Sequence, residues 1–179
     1  MKRELILNIV EVLIIFLLFI LPIRLFLFEP FFVKGDSMEP NFHSWDYLII
    51  DKFSYFYRLP QRGDVVVFKP PFDNNIYYIK RIIGLPNERI VIDNSKIIIY
   101  NKQKPQGFIL NEPYVTNHYT PGLIDVQLKN DEYFVLGDNR EVSYDSRKWG
   151  PLRKERIVGK VLFQVSIAKL PQLMKVFAQ

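Results

Sequence analysis

Hydrophobic positions divide the chain into two parts. From Leu5 to Phe28 apolar residues follow one another almost without a break, and a helix rising 1.5 Å per residue over this length would just cross a bilayer of about 30 Å. Asn8, Glu11, Pro22 and Arg24 interrupt the apolar run. The pattern therefore predicts one transmembrane helix, although an imperfect one.

The flanks of this segment predict how it is used. A cleaved signal peptide needs a site of small residues after its apolar run, and none is present, which favours an uncleaved anchor. Lys2 and Arg3 precede the segment, so the positive-inside rule places the N-terminus in the cytoplasm. We expect a single-pass protein of the cell membrane, with residues 1–28 as cytoplasmic end and anchor and residues 29–179 as an extracytoplasmic domain.

Beyond Phe28 the apolar runs become short, alternate with a period of two, and are separated by Pro, Gly and Asn. This pattern is typical of a mainly β fold, an antiparallel sheet or barrel-like domain. Asn94-Ser95 joins two of the runs as a tight hairpin. The predicted strands are Phe31–Lys34, Tyr47–Asp51, Asp64–Lys69, Tyr77–Ile83, Arg89–Asp93, Lys96–Tyr100, Glu132–Leu136 and Gly159–Val165.

Three segments fall outside this strand pattern. Residues 70–75 and 101–122 are interpreted as loops, the second long enough to be mobile. The tail from Ile167 to Phe177 is apolar and basic but too short to span a bilayer, and we expect it to pack on the domain or to touch lipid.

Composition narrows the chemistry. The chain of 179 residues fits one globular domain, and its lack of cysteine excludes disulfides, thiolate nucleophiles and Cys-based zinc sites. His43 and His118 lie too far apart to suggest a metal site, and we expect none. The formal net charge is +5, and the basic residues are scattered singly or in pairs among acids, which favours a domain beside anionic lipid over nucleic-acid binding.

The first candidate site residue is Ser37, in Gly35-Asp36-Ser37-Met38-Glu39-Pro40. The neighbouring glycine and proline shape the backbone, so that the hydroxyl can be exposed beside free peptide N–H groups. A single serine in such a turn is usually only a turn residue.

The second candidate is Lys80. Alternation along the strand puts its side chain on the same face as Tyr78 and Ile82, an apolar neighbourhood in which burial can lower a lysine pKa and leave a neutral amine. An edge-strand lysine that prevents aggregation is the simpler alternative. Arg81, on the opposite face, is expected to form a structural ion pair.

A third segment, from Gly137 to Arg147, contains three acids, two arginines and two serines in a short stretch. So many groups that can pair with one another favour a hydrogen-bonded network that supports the local backbone. A solvated charged loop is the alternative.

Together, and in this order after an apolar N-terminus, the three segments resemble the bacterial type I signal peptidase family of Ser/Lys proteases. A fourth matching segment is Gly63–Phe68, and the resemblance extends from Glu29 to Lys160. It implies a serine endopeptidase that removes signal peptides by cutting after small residues at positions −1 and −3, without a cofactor. The implied partners are preprotein signal peptides and the lipid bilayer, with the secretion translocon as a further candidate.

The resemblance also implies roles for individual residues. Ser37 matches the nucleophile, Lys80 the general base, and Ser143 the hydroxyl that orients the lysine amine. The residues implied to brace the site are Asp138, Arg140, Asp145 and Arg147. Arg81, expected to form a structural ion pair, is counted with them. Positions near the substrate pockets are matched by Val33, Met38, Tyr78 and Ile79.

Two positions depart from the family pattern. Gly35 stands where some members have a serine that completes the oxyanion hole, so backbone N–H groups must take over that role, with the Ser37 amide first and the Gly35–Asp36 segment beside it. Asn87-Glu88 replaces a common Gly-Asp in a turn. A specialised pilus-processing peptidase, a self-cleaving repressor protease and a non-catalytic anchored β domain are the competing interpretations.

Overall fold

The computed structural model describes residues 2–20, 28–117 and 119–166. At the N-terminus, helix α1 (Lys2–Ile15) continues into a π-helical turn (Phe16–Ile20). The α-helical hydrogen bonding thus ends after 14 residues, fewer than the roughly 20 that a span requires. Within the described ranges, no helix has the length and apolarity needed to traverse a bilayer, so the expected transmembrane helix is not found there. Part of the segment predicted to span, and the tail from Ile167, lie outside these ranges.

The rest of the described chain is mainly β, as the alternating pattern predicts. Two short helices, α2 (Ser54–Tyr57) and α3 (Ser146–Trp149), and a 3₁₀ turn (Lys154–Arg156) interrupt the strands. The strands are β1 (Phe28–Phe32), β2 (Tyr47–Asp51), β3 (Val65–Phe68), β4 (Tyr78–Gly84), β5 (Arg89–Asp93), β6 (Lys96–Tyr100), β7 (Phe108–Ile109), β8 (Ile124–Gln127), β9 (Glu132–Leu136), β10 (Leu152–Arg153) and β11 (Ile157–Val165).

Every described strand pair is antiparallel, and the strands form two sheets. The larger sheet has the order β1-β2-β11-β3-β4-β9-β10, and the smaller has the order β7-β6-β5-β8. Strand β4 lies inside the larger sheet, with Val66 of β3 opposite Lys80 and Leu136 of β9 opposite Arg81. Because β4 is paired on both sides, its backbone is held firmly along its length.

Apolar side chains cover both faces of the larger sheet. All four residues of β3 are buried: Val65 and Val67 pack into one cluster with Met38, while Val66 and Phe68 pack into another. A third cluster, rich in isoleucine, joins the smaller sheet to Phe134 of β9. A strand buried on both faces loses the apolar–polar alternation of a half-exposed strand, which explains the continuous apolar run Val65–Phe68.

The local turn signals are confirmed. Strands β5 and β6 pair with Asp93 opposite Lys96, and the two residues between them, Asn94 and Ser95, have φ angles of 46° and 65°. Positive φ at both positions is the geometry of a tight hairpin whose twist matches that of its strands. Asn87, where the family commonly has glycine, also has a positive φ of 65°.

The strand predictions fail in two ways. Strand β1 begins at Phe28 and ends at Phe32, whereas Phe31–Lys34 was predicted. Strands β7, β8 and β10 have no predicted counterpart, and β7 lies within the segment interpreted as a loop. Each of these strands has only two to four residues, too few to show an alternation of apolar and polar positions. Each is stabilised by pairing with a longer strand.

Candidate active site

An open cleft with a volume of about 720 Å³ lies between β1, the turn after it, β4 and the segment that follows β9. Ser37 and Lys80 both line it, and so do Gly35 and Asp36. The cleft brings together the turn, the strand and the loop that the sequence analysis singled out.

Ser37 and Lys80 meet at the floor of this cleft. The Lys80 amine (Nζ) donates a hydrogen bond of 2.6 Å to the Ser37 hydroxyl (Oγ) and another of 2.9 Å to the carbonyl of Ile79. The pairing depends on β4, where alternation turns Lys80 toward the cleft. The serine hydroxyl is thus in direct contact with the lysine amine.

Burial sets the chemistry of the amine. Lys80 is only 4% exposed, and burial lowers the pKa of its ammonium from 10.5 to about 8; Asp145 and Asp138 oppose this shift, and Arg147 adds to it. The amine also lies 5.4 Å from the centre of the Tyr78 ring. A substantial fraction of Lys80 is therefore neutral at slightly alkaline pH and able to accept a proton.

Free backbone donors lie beside the serine. Gly35, with a φ of 89°, turns the chain into the cleft, and its own N–H donates to the Ser44 hydroxyl. Within the part of the chain that the structure describes, the N–H groups of Asp36 and Ser37 have no acceptor. The Ser37 carbonyl accepts from the N–H of Asn139 at 3.1 Å, so the serine turn is tied to the segment after β9.

Asp138 and Arg81 form a buried ion pair behind the site. Arg81 Nε and Nη2 donate to the two carboxylate oxygens of Asp138 at 2.8 and 2.6 Å, and the amide of Asn41 donates to the same carboxylate. The guanidinium also lies 4.1 Å from the Tyr114 ring centre. A paired donor and acceptor of this geometry holds β4 against the turn after β9.

Asp145 and Arg147 form a second pair, within the predicted network segment. Arg147 Nε donates to Asp145 at 2.8 Å, and Arg147 Nη2 donates to the carbonyl of Arg140 at 2.7 Å. The other oxygen of Asp145 accepts from the N–H of Gly137 at 3.1 Å. These bonds fold the segment back on itself over the cleft.

Arg140 pairs with a residue that the sequence analysis missed. Its guanidinium, 1% exposed, forms a two-pronged ion pair with Glu112, donates to the Thr120 hydroxyl, and donates through Nε to the carbonyl of Gly137 at 2.9 Å. Glu112 and Thr120 belong to the segment interpreted as a mobile loop. Because Asp138 pairs with Arg81, the buried Arg140 needs an acid from another segment, and the folded chain alone shows which one.

Gly137 is packed so closely that a side chain there would collide with the Ser143 hydroxyl and the Ser37 carbonyl. Ser143 itself is buried, and its hydroxyl makes no hydrogen bond to any described residue. The bond from Ser143 to the Lys80 amine that the resemblance implies is thus not formed in this structure. The amine is bonded to Ser37 and Ile79 instead.

The four residues matched to substrate pockets separate in the structure. Val33, Tyr78 and Ile79 line the cleft. Met38 does not: it is fully buried in a core cluster that also contains Val33 and Val67, two residues of the cleft lining, so it lies beneath the cleft. Met38 therefore supports the wall from behind.

The geometry of the cleft defines a class of enzyme. A half-buried serine hydroxyl in contact with a buried amine of lowered pKa, next to free N–H groups in an open cleft, suits a hydrolase that attacks an acyl group through serine.

Comparison with known proteins places the chain more narrowly. The model of the family described as signal peptidase, peptidase S26, matches residues 6–166. A probable signal peptidase I-1 of Synechocystis is 35% identical over 162 residues, which cover 87% of this chain and 80% of that protein. Signal peptidase I V of Bacillus subtilis is 38% identical over 137 residues, covering 72% of this chain and 80% of that protein.

A solved structure agrees with these relatives. The crystal structure of a signal peptidase I from Enterococcus faecalis is 29% identical, with a TM-score of 0.50, and covers 59% of this chain and 98% of that chain. The chain belongs to the signal peptidase family, peptidase S26. The family and the enzyme class predicted from the sequence are confirmed.

Proposed function

We propose that this protein is a serine endopeptidase that removes N-terminal signal peptides from exported preproteins, with Ser37 as nucleophile and Lys80 as general base. The observation that supports this most directly is the 2.6 Å contact between the Ser37 hydroxyl and the Lys80 amine in an open cleft. The relatives are signal peptidases I by name, which supports the choice of substrate.

The reaction is acyl transfer in two steps. Neutral Lys80 takes the hydroxyl proton as Ser37 attacks the scissile carbonyl, and the resulting ammonium gives that proton to the departing amine. Lys80 then deprotonates a water that attacks the acyl-serine bond, and the proton returns to Ser37 as the bond breaks. The buried, unpartnered hydroxyl of Ser143 is the group that we assign to orienting the amine during these transfers.

Backbone groups stabilise the oxyanion in this proposal. The Ser37 N–H is the leading donor and the Asp36 N–H the second, because neither has an acceptor among the described residues. The N–H of Gly35, the third residue of this segment, already donates to the Ser44 hydroxyl and is not available. Lys80 and the ion pairs of Asp138 and Asp145 hold the surroundings in place, so that little reorganisation accompanies the attack.

The substrate side chains at −1 and −3 are proposed to fill the cleft walls formed by Val33, Tyr78 and Ile79. Met38 shapes the pocket from below rather than by contact.

Residues 1–28 are proposed as a single-pass membrane anchor, with the N-terminus in the cytoplasm and residues 29–179 as the extracytoplasmic peptidase domain. What supports this is α1, whose apolar side chains from Leu5 to Ile15 are exposed in every direction, a surface that water disfavours and lipid accepts. Lipid is therefore a proposed partner, and the secretion translocon is a further one. Anchoring raises the effective concentration of a substrate held in the same bilayer.

The test is to incubate the detergent-solubilised full chain with a preprotein and to sequence the new N-terminus. The wild type should cut after small residues at −1 and −3, and Ser37→Ala should lower the rate at least about a thousandfold while remaining folded. Cleavage that survives in Ser37→Ala would refute the assignment of the nucleophile.

A further inference from the structure

Three aromatic rings form a cluster beside the cleft. Phe72, in the loop between β3 and β4, packs edge-on against Tyr78 with ring centres 5.9 Å apart and against Tyr144 with ring centres 5.7 Å apart. Tyr78 and Tyr144 both line the cleft, from β4 and from the segment after β9. Phe72 thus joins two walls that belong to different parts of the chain.

Tyr144 depends on Phe72 for its position. Across the described ranges, Tyr144 has no other ring partner and its hydroxyl makes no hydrogen bond, and its side chain is 51% exposed. Tyr78 has further support, from Phe68 at 6.3 Å and from the Lys80 amine. Of the two cleft tyrosines, Tyr144 is the one whose ring would move if Phe72 were removed.

Phe72 itself is fixed by its loop. Arg156, in the 3₁₀ turn before β11, donates through Nη1 to the carbonyl of Pro70 at 2.9 Å and to the side-chain oxygen of Asn74 at 3.0 Å. The N–H of Asn75 donates to the carboxylate of Asp73. These hydrogen bonds hold the backbone on both sides of Phe72 and so fix the position from which its ring extends.

We propose that Phe72 is a positioning residue for substrate binding, which holds the Tyr144 ring as a wall of the cleft where the bound peptide packs. The inference rests on the proposed function of the cleft. A ring already held in place loses less conformational entropy when the peptide binds than a ring that must first be ordered. Phe72 does not touch the peptide itself, and it acts through Tyr144.

The experiment measures cleavage of a peptide by the full chain in detergent, with KM and kcat determined separately. Phe72→Ala should raise KM about tenfold, the loss expected from one or two aromatic pairs, and leave kcat within about twofold because neither Phe72 nor Tyr144 contacts the Ser37–Lys80 pair. Tyr144→Ala should do the same. The double variant should also show about a tenfold rise and not about a hundredfold, since both changes remove one wall.

Two variants separate positioning from general stability. Phe72→Tyr keeps the ring and should restore KM to within about twofold of the wild type. Phe53→Ala is the matched control, because Phe53 is also a half-exposed ring packed on a tyrosine, Tyr57 at 4.9 Å, but is not part of the cleft. Its KM should not change.

Peptide binding to the same variants in a Ser37→Ala background gives the comparison without turnover. An unchanged affinity in Phe72→Ala, or effects that multiply in the double variant, would overturn the inference and leave the proposed function intact. Absence of cleavage by the wild type would instead speak against the proposed function, while the binding comparison still decides the role of Phe72.

Discussion

The chemistry assigned to Ser37 and Lys80 depends on the contact between their side chains in the folded protein, and not on the residues next to either one in the sequence. They are 43 positions apart, and in the fold their side chains make a hydrogen bond of 2.6 Å. The sequence marks Lys80 as unusual through its apolar strand face, but the lowering of its pKa requires the burial that the folded sheet provides.

The rate of cleavage should depend on pH through the protonation of Lys80. Because the pKa of Lys80 is lowered to about 8, kcat should fall about tenfold for each pH unit below that value, as the amine becomes protonated and can no longer accept the hydroxyl proton. Initial rates with a saturating peptide between about pH 5.5 and 9 measure this. Circular dichroism at each pH checks that the domain stays folded, and a level profile down to about pH 6 would contradict Lys80 as the base.

The same burial predicts a cost in stability. Lys80 has a pKa of 10.5 when solvated and about 8 when folded, so the folded state binds its proton less tightly. The cost is complete below about pH 8 and disappears as pH rises past 10.5, the reverse of a group stabilised by an ion pair.

Lys80→Met should therefore abolish cleavage and yet raise the free energy of unfolding by about 2 kcal/mol at neutral pH, after allowance for the lost hydrogen bonds to Ser37 and Ile79. Denaturant unfolding of both proteins at about pH 7 and about pH 10 measures the difference, which should shrink at the higher value. If the variant is less stable than the wild type at both pH values, burial of the Lys80 amine does not lower the free energy of unfolding.

At the scale of elements, the strands with their own local signal were predicted and those that borrow stability from a neighbour were not. The β5–β6 hairpin is specified by alternation and by a two-residue turn with positive φ. Strand β8 instead forms by pairing with β5, from which it is separated by the long segment containing Glu112. Because the partner of β8 lies far away along the chain, the short sequence of β8 does not reveal the pairing.

That long segment gives the element-scale prediction. Glu112→Gln keeps the shape of the side chain but removes the charge that compensates the buried Arg140, so the free energy of unfolding should drop by about 3 kcal/mol. Cleavage should fall as well, because Arg140 holds the Gly137 carbonyl over the Ser37 turn. Chemical denaturation and peptide cleavage measure the two effects.

Glu141→Gln is the matched control for this experiment. Glu141 is exposed, lies next to Arg140 in sequence and accepts a hydrogen bond only from the Asn117 amide among the described residues. The change should alter stability by less than about 0.5 kcal/mol. Equal effects of the two substitutions would mean that the buried Glu112–Arg140 ion pair contributes no more to stability than the exposed Glu141 does.

At the scale of the whole molecule, an apolar N-terminal helix precedes a β domain with its cleft on one side. The apolar residues of α1 are exposed, whereas those of the sheets fill the core. If residues 1–28 form an anchor, two charged residues introduced into the helix should prevent membrane retention and leave the cleft unchanged.

Leu13→Asp combined with Leu17→Asp tests this in the full chain. At about 3 kcal/mol for each aspartate near the middle of a span, the variant should be extracted from membranes by alkaline carbonate, whereas the wild type should stay in the pellet. Cleavage of a short soluble peptide should be unchanged. Leu123→Asp, at a position 81% exposed in the β domain, is the control and should stay in the pellet.

The order of residues along the chain encodes local features: a mainly β domain, the β5–β6 turn, an apolar N-terminal segment, and the motifs that identify the family and single out Ser37 and Lys80. Contacts between distant groups, namely Glu112 with Arg140 and Phe72 with Tyr144, emerge in the folded protein alone, and so does the place of Met38 beneath the cleft. Periodicity reports which face of a strand is buried, whereas the partner across a buried contact depends on how the whole chain packs.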